Sequence, residues 1–266
     1  MSGAPIGVPV SAPSAEGRER VAAAQGKAAV LREALPWMTR FHGQTVVIKY
    51  GGHAMVDPEL QRSFAADVAL LRFVGLRPVV VHGGGPQISR LAEERGVPSR
   101  FVGGLRVTDD AMIEVVHDAL AGSVNPEVVA LVEAAGAPAT GVIGSDGPVL
   151  TCVQARGPAG EDLGRVGEVS TVDAGAIRAV LDAGRVPVIA TLGRDADGRE
   201  HNVNADTAAG AIAAALGASK LVVLTDVPGV FERFGTPDQR LLSELTRERL
   251  GEVVAAGELA DGMLPK

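Results

Sequence analysis

Four short stretches carry side chains whose chemistry converges on negatively charged ligands. Residues 45–52 read Thr-Val-Val-Ile-Lys-Tyr-Gly-Gly. The β-branched run predicts a buried strand, and its end carries Lys49 followed by Gly51 and Gly52. Glycines permit a tight turn and let backbone N–H groups approach a ligand closely. A lysine beside such bare donors suits phosphate. Residues 79–85, Val-Val-Val-His-Gly-Gly-Gly, repeat the device and add Gly84 and Gly85. Two strands that both end in glycines can lie side by side and form one anion-binding rim, at the strand ends where open α/β sheets bind ligands. The third stretch, residues 103–108, carries Arg106 after a Gly-Gly pair, which predicts a loop arginine. Such an arginine is either merely solvated or forms a bidentate pair with a substrate carboxylate. The fourth, Asn-Val-Asn-Ala-Asp at 202–206, offers Asn202, Asn204 and Asp206. The asparagines equally suit a turn or a helix cap. Asp206 falls in a first helical turn, where a carboxylate is favoured by the dipole, or it orients lysines or a magnesium-bound water.

Several familiar chemistries are missing. Neither glycine turn is a Walker A loop or a Gly-x-Gly-x-x-Gly fingerprint. No Gly-x-Ser-x-Gly elbow supports a serine hydrolase. His82 lies between a strand and glycines, and no second histidine stands at metal-ligand spacing, so a hydrogen-bonded structural role suits it better than ligation. His53, His117 and His201 have no readable partners. No metal-binding residues are expected.

One reaction type fits this inventory. A carboxylate acceptor, with a solution pKa near about 4.3, is already ionised at neutral pH and needs no general base. The difficulty is bringing two anions together. Positive charge, N–H donors and alignment around the transferring phosphoryl overcome it.

The elements that position these residues follow from the rest of the chain. Its 266 residues, 46% hydrophobic, suffice for one large α/β domain or two lobes. A net charge of −7 and 3% aromatic residues argue against a nucleic-acid binder. No apolar stretch reads as a membrane span and the start lacks a secretory pattern. The single cysteine, Cys152, forms no intrachain disulfide and reads as a core residue, consistent with a cytoplasmic location. After a mobile tail, Val21, Ala24, Ala28, Leu31, Leu35 and Met38 recur at helical spacing as far as about Phe41, with Pro36 expected to kink or break the helix. That helix packs either on its own domain or on another subunit. Asp57-Pro58-Glu59 predicts a helix start, with Leu60, Phe64, Val68 and Leu71 facing inward. Pro86 starts a helix directly from the glycines, Thr108 caps the next, and Asn125-Pro126 opens another. Short strands are expected at 139–143, 149–153 and 165–169, and buried strands at 186–192 and 220–224. Residues 205–216 form an alanine-rich helix stopped by Gly217. Strands alternating with helices give an α/β fold with a largely parallel central sheet and helices on both faces.

Taken together, residues 49–55, 79–87, 104–108, 202–206, 224–230 and 262–266 resemble the amino acid kinase superfamily, and within it the branch that phosphorylates N-acetyl-L-glutamate in arginine biosynthesis. The resemblance runs from about residue 28 to the end. It implies ATP-dependent transfer to the side-chain carboxylate, giving an acyl phosphate and ADP, with Mg2+ accompanying ATP. It implies that Lys49 and Lys266 stabilise the transferring phosphoryl and that Asp206 orients both. Gly51, Gly52, Gly84 and Gly85 then form the backbone cradle. Arg106 and Asn202 clamp the α-carboxylate and acetamido end of the substrate, and Gly84 and Gly85 are substrate-binding with them. Asp226 and Gly229 belong to the nucleotide site. The expected division is 1–42 as tail and N-terminal helix, 43–214 as the acyl-acceptor lobe and 215–266 as an incomplete nucleotide lobe. The N-terminal helix resembles that of arginine-inhibited members, implying a homo-oligomer (a dimer, and a hexamer through this helix), arginine as inhibitor and a nitrogen-signalling PII protein as partner. His53 stands where relatives commonly carry asparagine. The family also continues beyond the position of Lys266, so an incomplete chain is expected. The competing reading is an inactive homologue serving as a binding or regulatory subunit.

Overall fold

The computed structural model describes residues 14–256, apart from 148, 226 and 228 and the side chain of residue 53. Its contacts divide the chain between His42 and Gly43. The first unit is one helix, α1 (Ala15–Phe41), capped by the Ser14 hydroxyl accepting from Gly17 N–H at 3.1 Å. Pro36 does not end it, and no residue in it is buried. The apolar stripe expected from the spacing is exposed at Val21, Leu31 and Leu35.

The second unit opens with β1 (Thr45–Tyr50). Helix α2 (Pro58–Phe73) starts where expected, with the Asp57 carboxylate accepting from the N–H groups of Glu59 and Leu60. It buries Phe64, Ala65, Val68 and Ala69. Leu60, expected inside, is instead 45% exposed, because it faces an open cleft beside Val223 and Leu224. Strand β2 (Arg77–His82) includes Pro78, expected just ahead of it; a proline this near a strand's start forfeits only one ladder donor. Helix α3 (Gly85–Glu94) leaves β2 through the glycines. Strands β3 (Arg100–Val102) and β4 (Leu105–Val107) form a hairpin. Its turn is Gly103 and Gly104, both at positive φ (55° and 78°), as a two-residue primed turn requires.

Helix α4 (Asp110–His117) is capped by Asp109, which accepts from Met112 N–H, and not by Thr108. The Thr108 hydroxyl is committed to the Arg106 carbonyl. A π-helical segment, Asp118–Val124, joins α4 directly to α5 (Asn125–Ala134). The sequence predicted two separate helices. The wider π turn falls where Pro126, lacking an N–H, interrupts the α-helical ladder, and the run continues. The run Asp110–Ala134 is long and apolar enough by composition to cross a membrane, which the sequence reading did not anticipate. Its apolar side chains are used in the protein core, with Met112, Val116, Leu120, Val128 and Val132 all buried.

There follow β5 (Ala139–Ile143), β6 (Leu150–Arg156), β7 (Asp162–Val172) and α6 (Ala174–Asp182). Then come β8 (Val186–Ala190), β9 (Leu192–Arg194), β10 (Glu200–Val203), α7 (Ala205–Leu216) and β11 (Lys220–Val223). Gly217, at φ 63°, ends α7 in the left-handed conformation that glycine adopts readily. Two short strands, β12 (Phe231–Glu232) and β13 (Arg240–Leu241), and α8 (Arg247–Ala255) complete the described elements.

A five-stranded parallel sheet in the order β11-β1-β2-β8-β5 forms the centre. Val47, Val79, Val81 and Ile189 pack with Ile177 and Leu181 of α6 and Ala208, Ala209 and Ile212 of α7. The alternate residues Val46, Ile48, Val80 and Val188 are buried too, so both faces are covered, α2 and α5 packing along the same sheet. Beside the sheet, β6, β7, β9 and β10 close a small barrel that the sequence did not reveal. There the strands expected at 149–153 and 165–169 lengthen into a hairpin, and the strand expected over 186–192 divides between sheet and barrel. Strand β11, expected to be buried, is the sheet edge, with Leu221 39% and Val222 40% exposed.

Ile212 lies at the centre of the α7 face, wholly buried. Ile212→Ala is expected to lower unfolding stability by about 3 kcal/mol in urea titration. Phe73→Ala, at an 83% exposed position, is expected to change it by less than about 0.5 kcal/mol.

Candidate active site

The register of β1 and β2 pairs Lys49 with Val81 and Tyr50 with His82, so both strands end at the same level. The two glycine corners therefore sit side by side, joined by a hydrogen bond from Gly83 N–H to the Tyr50 carbonyl at 3.2 Å. They border a cleft of about 540 Å³ that is also lined by Lys49, Arg106, Asn202 and Asp206. Gly51, Gly52, Gly84 and Gly85 all line it, so the four stretches singled out from sequence meet there.

Lys49 stands at the end of β1, 8% exposed, with its Nζ 3.2 Å from Asp206 Oδ1. The ammonium folds back over the turn. A Cβ on Gly51 would lie 2.8 Å from that nitrogen, so the absence of a side chain at 51 is what lets the charge occupy the corner. Asp206 comes from the first turn of α7. Asn204 caps that helix, its Oδ1 accepting from Asp206 N–H at 2.9 Å and Thr207 N–H at 3.2 Å. The capping role open to Asn204 is thus the one observed.

Helix α3 begins at the second corner with no side-chain cap. The first-turn N–H groups of a helix have no intrahelical acceptor, and the dipole there favours an anion. Leu120, from the π segment, backs this corner; a Cβ on Gly84 would approach its Cδ2 to 2.6 Å.

Arg106 is not in a loop. The glycines before it are the hairpin turn, so it lies on β4 and is buried. Its Nη1 donates to Ser99 Oγ at 2.7 Å, and its Nη2 donates to Ser89 Oγ at 2.8 Å and to the Gly85 carbonyl at 3.2 Å. Phe101 lies against the guanidinium, its ring centroid 4.7 Å from Cζ. Among the described residues this leaves Nε–H and one Nη1–H for a ligand. Ser89 and Ser99 went unnoticed in the sequence, where an isolated serine carries no signal of its partner. Asn202, on β10, donates from Nδ2 to Thr108 Oγ1 at 3.2 Å. Gly229 is not part of this cleft; it lies against Leu241. Asp226 and Lys266 lie outside the described residues. A second cleft, about 660 Å³, shares Gly51 and is lined by Ser63, Asp67, Val223, Leu224 and Thr225.

His82 is wholly buried under the second corner, as a hydrogen-bonded residue. His117 pairs with Glu200 and His201 with Asp195, both at 2.9 Å, partners invisible in the sequence. Among the described residues no group of three or more His, Cys, Asp or Glu side chains is disposed to hold a metal ion. Burial pulls the His82 pKa down to about 4, against a hydrogen bond to the Gly83 carbonyl that raises it. Below about 6.5 the unfolded chain therefore takes up a proton that the folded chain refuses. Stability is expected to fall as the pH drops from about 6.5 towards 4, and His82→Asn to flatten that part of the curve in urea titrations at successive pH values.

Comparisons with known proteins agree with this geometry. A description of the Amino acid kinase family matches residues 44–266. An acetylglutamate kinase from Salinispora tropica is 51% identical over 247 residues, covering 91% of this chain and 82% of that one. One from Acidothermus cellulolyticus is 52% identical over 251 residues, covering 92% and 84%. Among solved structures, N-acetylglutamate synthase from Neisseria gonorrhoeae, complexed with coenzyme A and N-acetyl-glutamate, superposes with a TM-score of 0.75 at 28% identity. That match covers 90% of this chain and 53% of the synthase. Carbamate kinase from Giardia lamblia, bound to AMP-PNP, shares the fold with a TM-score of 0.60 at 20% identity, covering 84% of this chain and 85% of that one. With the glycine corners, the buried lysine and these relatives in agreement, this chain belongs to the amino acid kinase family, among its acetylglutamate kinases.

Proposed function

We propose that this chain transfers the γ-phosphoryl group of ATP to the side-chain carboxylate of N-acetyl-L-glutamate, and that the described cleft is where the two anions meet. The observation that carries this reading is the Lys49 ammonium, held 3.2 Å from Asp206 at the mouth shared by both glycine corners. Lys49 neutralises charge on the transferring phosphoryl, and Asp206 fixes the direction of the ammonium. The N–H groups at Gly51 and Gly52 face the nucleotide phosphates, and those at Gly84 and Gly85 face the acceptor. The acceptor carboxylate is ionised at neutral pH, so it attacks phosphorus directly and ADP leaves with the bond electrons. No side chain needs to remove a proton.

Arg106 and Asn202 hold the α-carboxylate and acetamido end of the substrate. The guanidinium is already fixed by three protein acceptors, so little ordering remains to be done on binding. The nucleotide extends along the segment 224–230, part of which lines the neighbouring cleft that shares Gly51. Asp226 and Gly229 belong to its site in this reading, and Lys266 supplies the second cation. Magnesium enters as the companion ion of ATP. The lobes divide as 43–214 for the acceptor and 215–266 for the nucleotide.

Assembly belongs to the same proposal. The exposed apolar residues of α1 suit packing against another copy, giving dimers and a hexamer. Arginine inhibition, a PII-type signalling partner and a cytoplasmic location complete the reading.

A coupled ADP-release assay with N-acetyl-L-glutamate tests it. Lys49→Ala is expected to lower kcat by at least about 100-fold. Arg106→Ala is expected mainly to raise KM for N-acetyl-L-glutamate, by about 30-fold, the equivalent of about 2 kcal/mol of charged hydrogen bonding. Unchanged kinetics in both variants would remove these assignments. Binding of N-acetyl-L-glutamate without ADP release is the result expected of a binding or regulatory subunit.

A further inference from the structure

Beneath the second glycine corner lies a buried polar chain that the reaction above does not use. Asn125 Nδ2 is 2.8 Å from the Val188 carbonyl and 2.9 Å from His82 Nε2. An amide NH2 only donates, so His82 Nε2 is the acceptor and carries no proton. The proton is then on Nδ1, which is 2.9 Å from the Gly83 carbonyl oxygen and donates to it. The hydrogen bonds fix one tautomer of a neutral ring. His82 is wholly buried and Asn125 3% exposed, so neither is held by solvent.

The rest of the corner is pinned as well. Gly83 N–H donates to the Tyr50 carbonyl, and Thr191 Oγ1 approaches the His82 carbonyl at 3.4 Å. The C=O and N–H of a trans peptide point in opposite directions. With the Gly83 carbonyl turned towards the buried imidazole, the Gly84 N–H of the same peptide must face away from it. Gly84 and Gly85 line the cleft. Space for the relay is reserved from both sides. A Cβ on Gly141 of β5 would overlap Asn125 Oδ1, and Asn125 itself follows the π segment whose Leu120 and Val124 back Gly84. Single π turns inside helices are common at functional sites.

We propose that His82 and Asn125 are positioning residues for phosphoryl transfer: an uncharged Nδ1–H imidazole, fixed by the Asn125 amide, turns the Gly83 carbonyl inward and so aims the Gly84 N–H at the acceptor carboxylate. This rests on the kinase reading above. His82 neither touches substrate nor exchanges a proton with it. Its effect is on alignment, where a displacement of about 1 Å is enough to cost about 100-fold in rate.

The experiment has a structural arm and a kinetic arm. In the full chain with ¹⁵N-labelled histidine, His82 is expected to give the NMR signature of a neutral Nδ1–H ring, unchanged between pH 8 and pH 6. A neutral Nε2–H ring, or a charged one in that range, overturns the proposal. Turnover by the unchanged chain is measured first; its absence counts against the kinase reading, and the tautomer then decides the relay alone. Given turnover, His82→Phe is expected to lower kcat by about 50-fold while KM for ATP changes less than about threefold. His82→Asn carries an amide N–H where Nδ1–H stood, and is expected to recover kcat to within about fivefold of the unchanged chain. Its pH–rate profile keeps the shape of the unchanged chain. If His82→Asn falls as far as His82→Phe while both unfold at the same temperature, or if its pH profile changes shape, the positioning role is wrong.

Discussion

The cleft is organised by one buried ion pair, Lys49–Asp206, and the proposed meeting of two anions depends on it. The two side chains are 10% and 12% exposed, so their attraction is only weakly screened by water. They come from different layers. Lys49 is set by an interior strand of the sheet, and Asp206 by the first turn of a helix packed over that strand. Burying the pair takes the α7 face against β1 and β2. Opening the corner takes a residue without a side chain at 51. The hydrophobic core and the charged site are thus one arrangement, because the core fixes where the charges stand.

The parallel register of β1 and β2 does the second part of the work. Equal strand ends bring two glycine corners to one rim, and β8 with the residue that follows it supplies Val188 and Thr191 to secure the second one. The hairpin of β3 and β4 then carries Arg106 over α3, where the serines at 89 and 99 fix its planar fork. The guanidinium and the second glycine corner are thus tied together through α3, at the Gly85 carbonyl and the Ser89 hydroxyl.

How much of this was legible depended on whether the information was local. The strand–glycine corners, the Asp57 cap and the Gly217 stop are each written in a few adjacent residues. The cleft was legible because each of its parts carries such a local mark. Arg106 was misjudged because Gly-Gly signals a turn without saying that a strand resumes two residues later. The barrel was hidden because its strands alternate pairing partners across long separations. Apolar composition made β11 look central, yet composition cannot say on which side a sheet ends. The His82–Asn125 contact spans two helices and a hairpin of intervening chain, and neither residue type announces the other.

The position of β11 has one further implication. Among the described residues no strand pairs with its outer side, and Leu221 and Val222 are partly open to water there. Main-chain hydrogen bonding along such a margin is indifferent to side-chain identity. Any extended segment that arrives in register can lengthen the sheet, whichever polypeptide it belongs to.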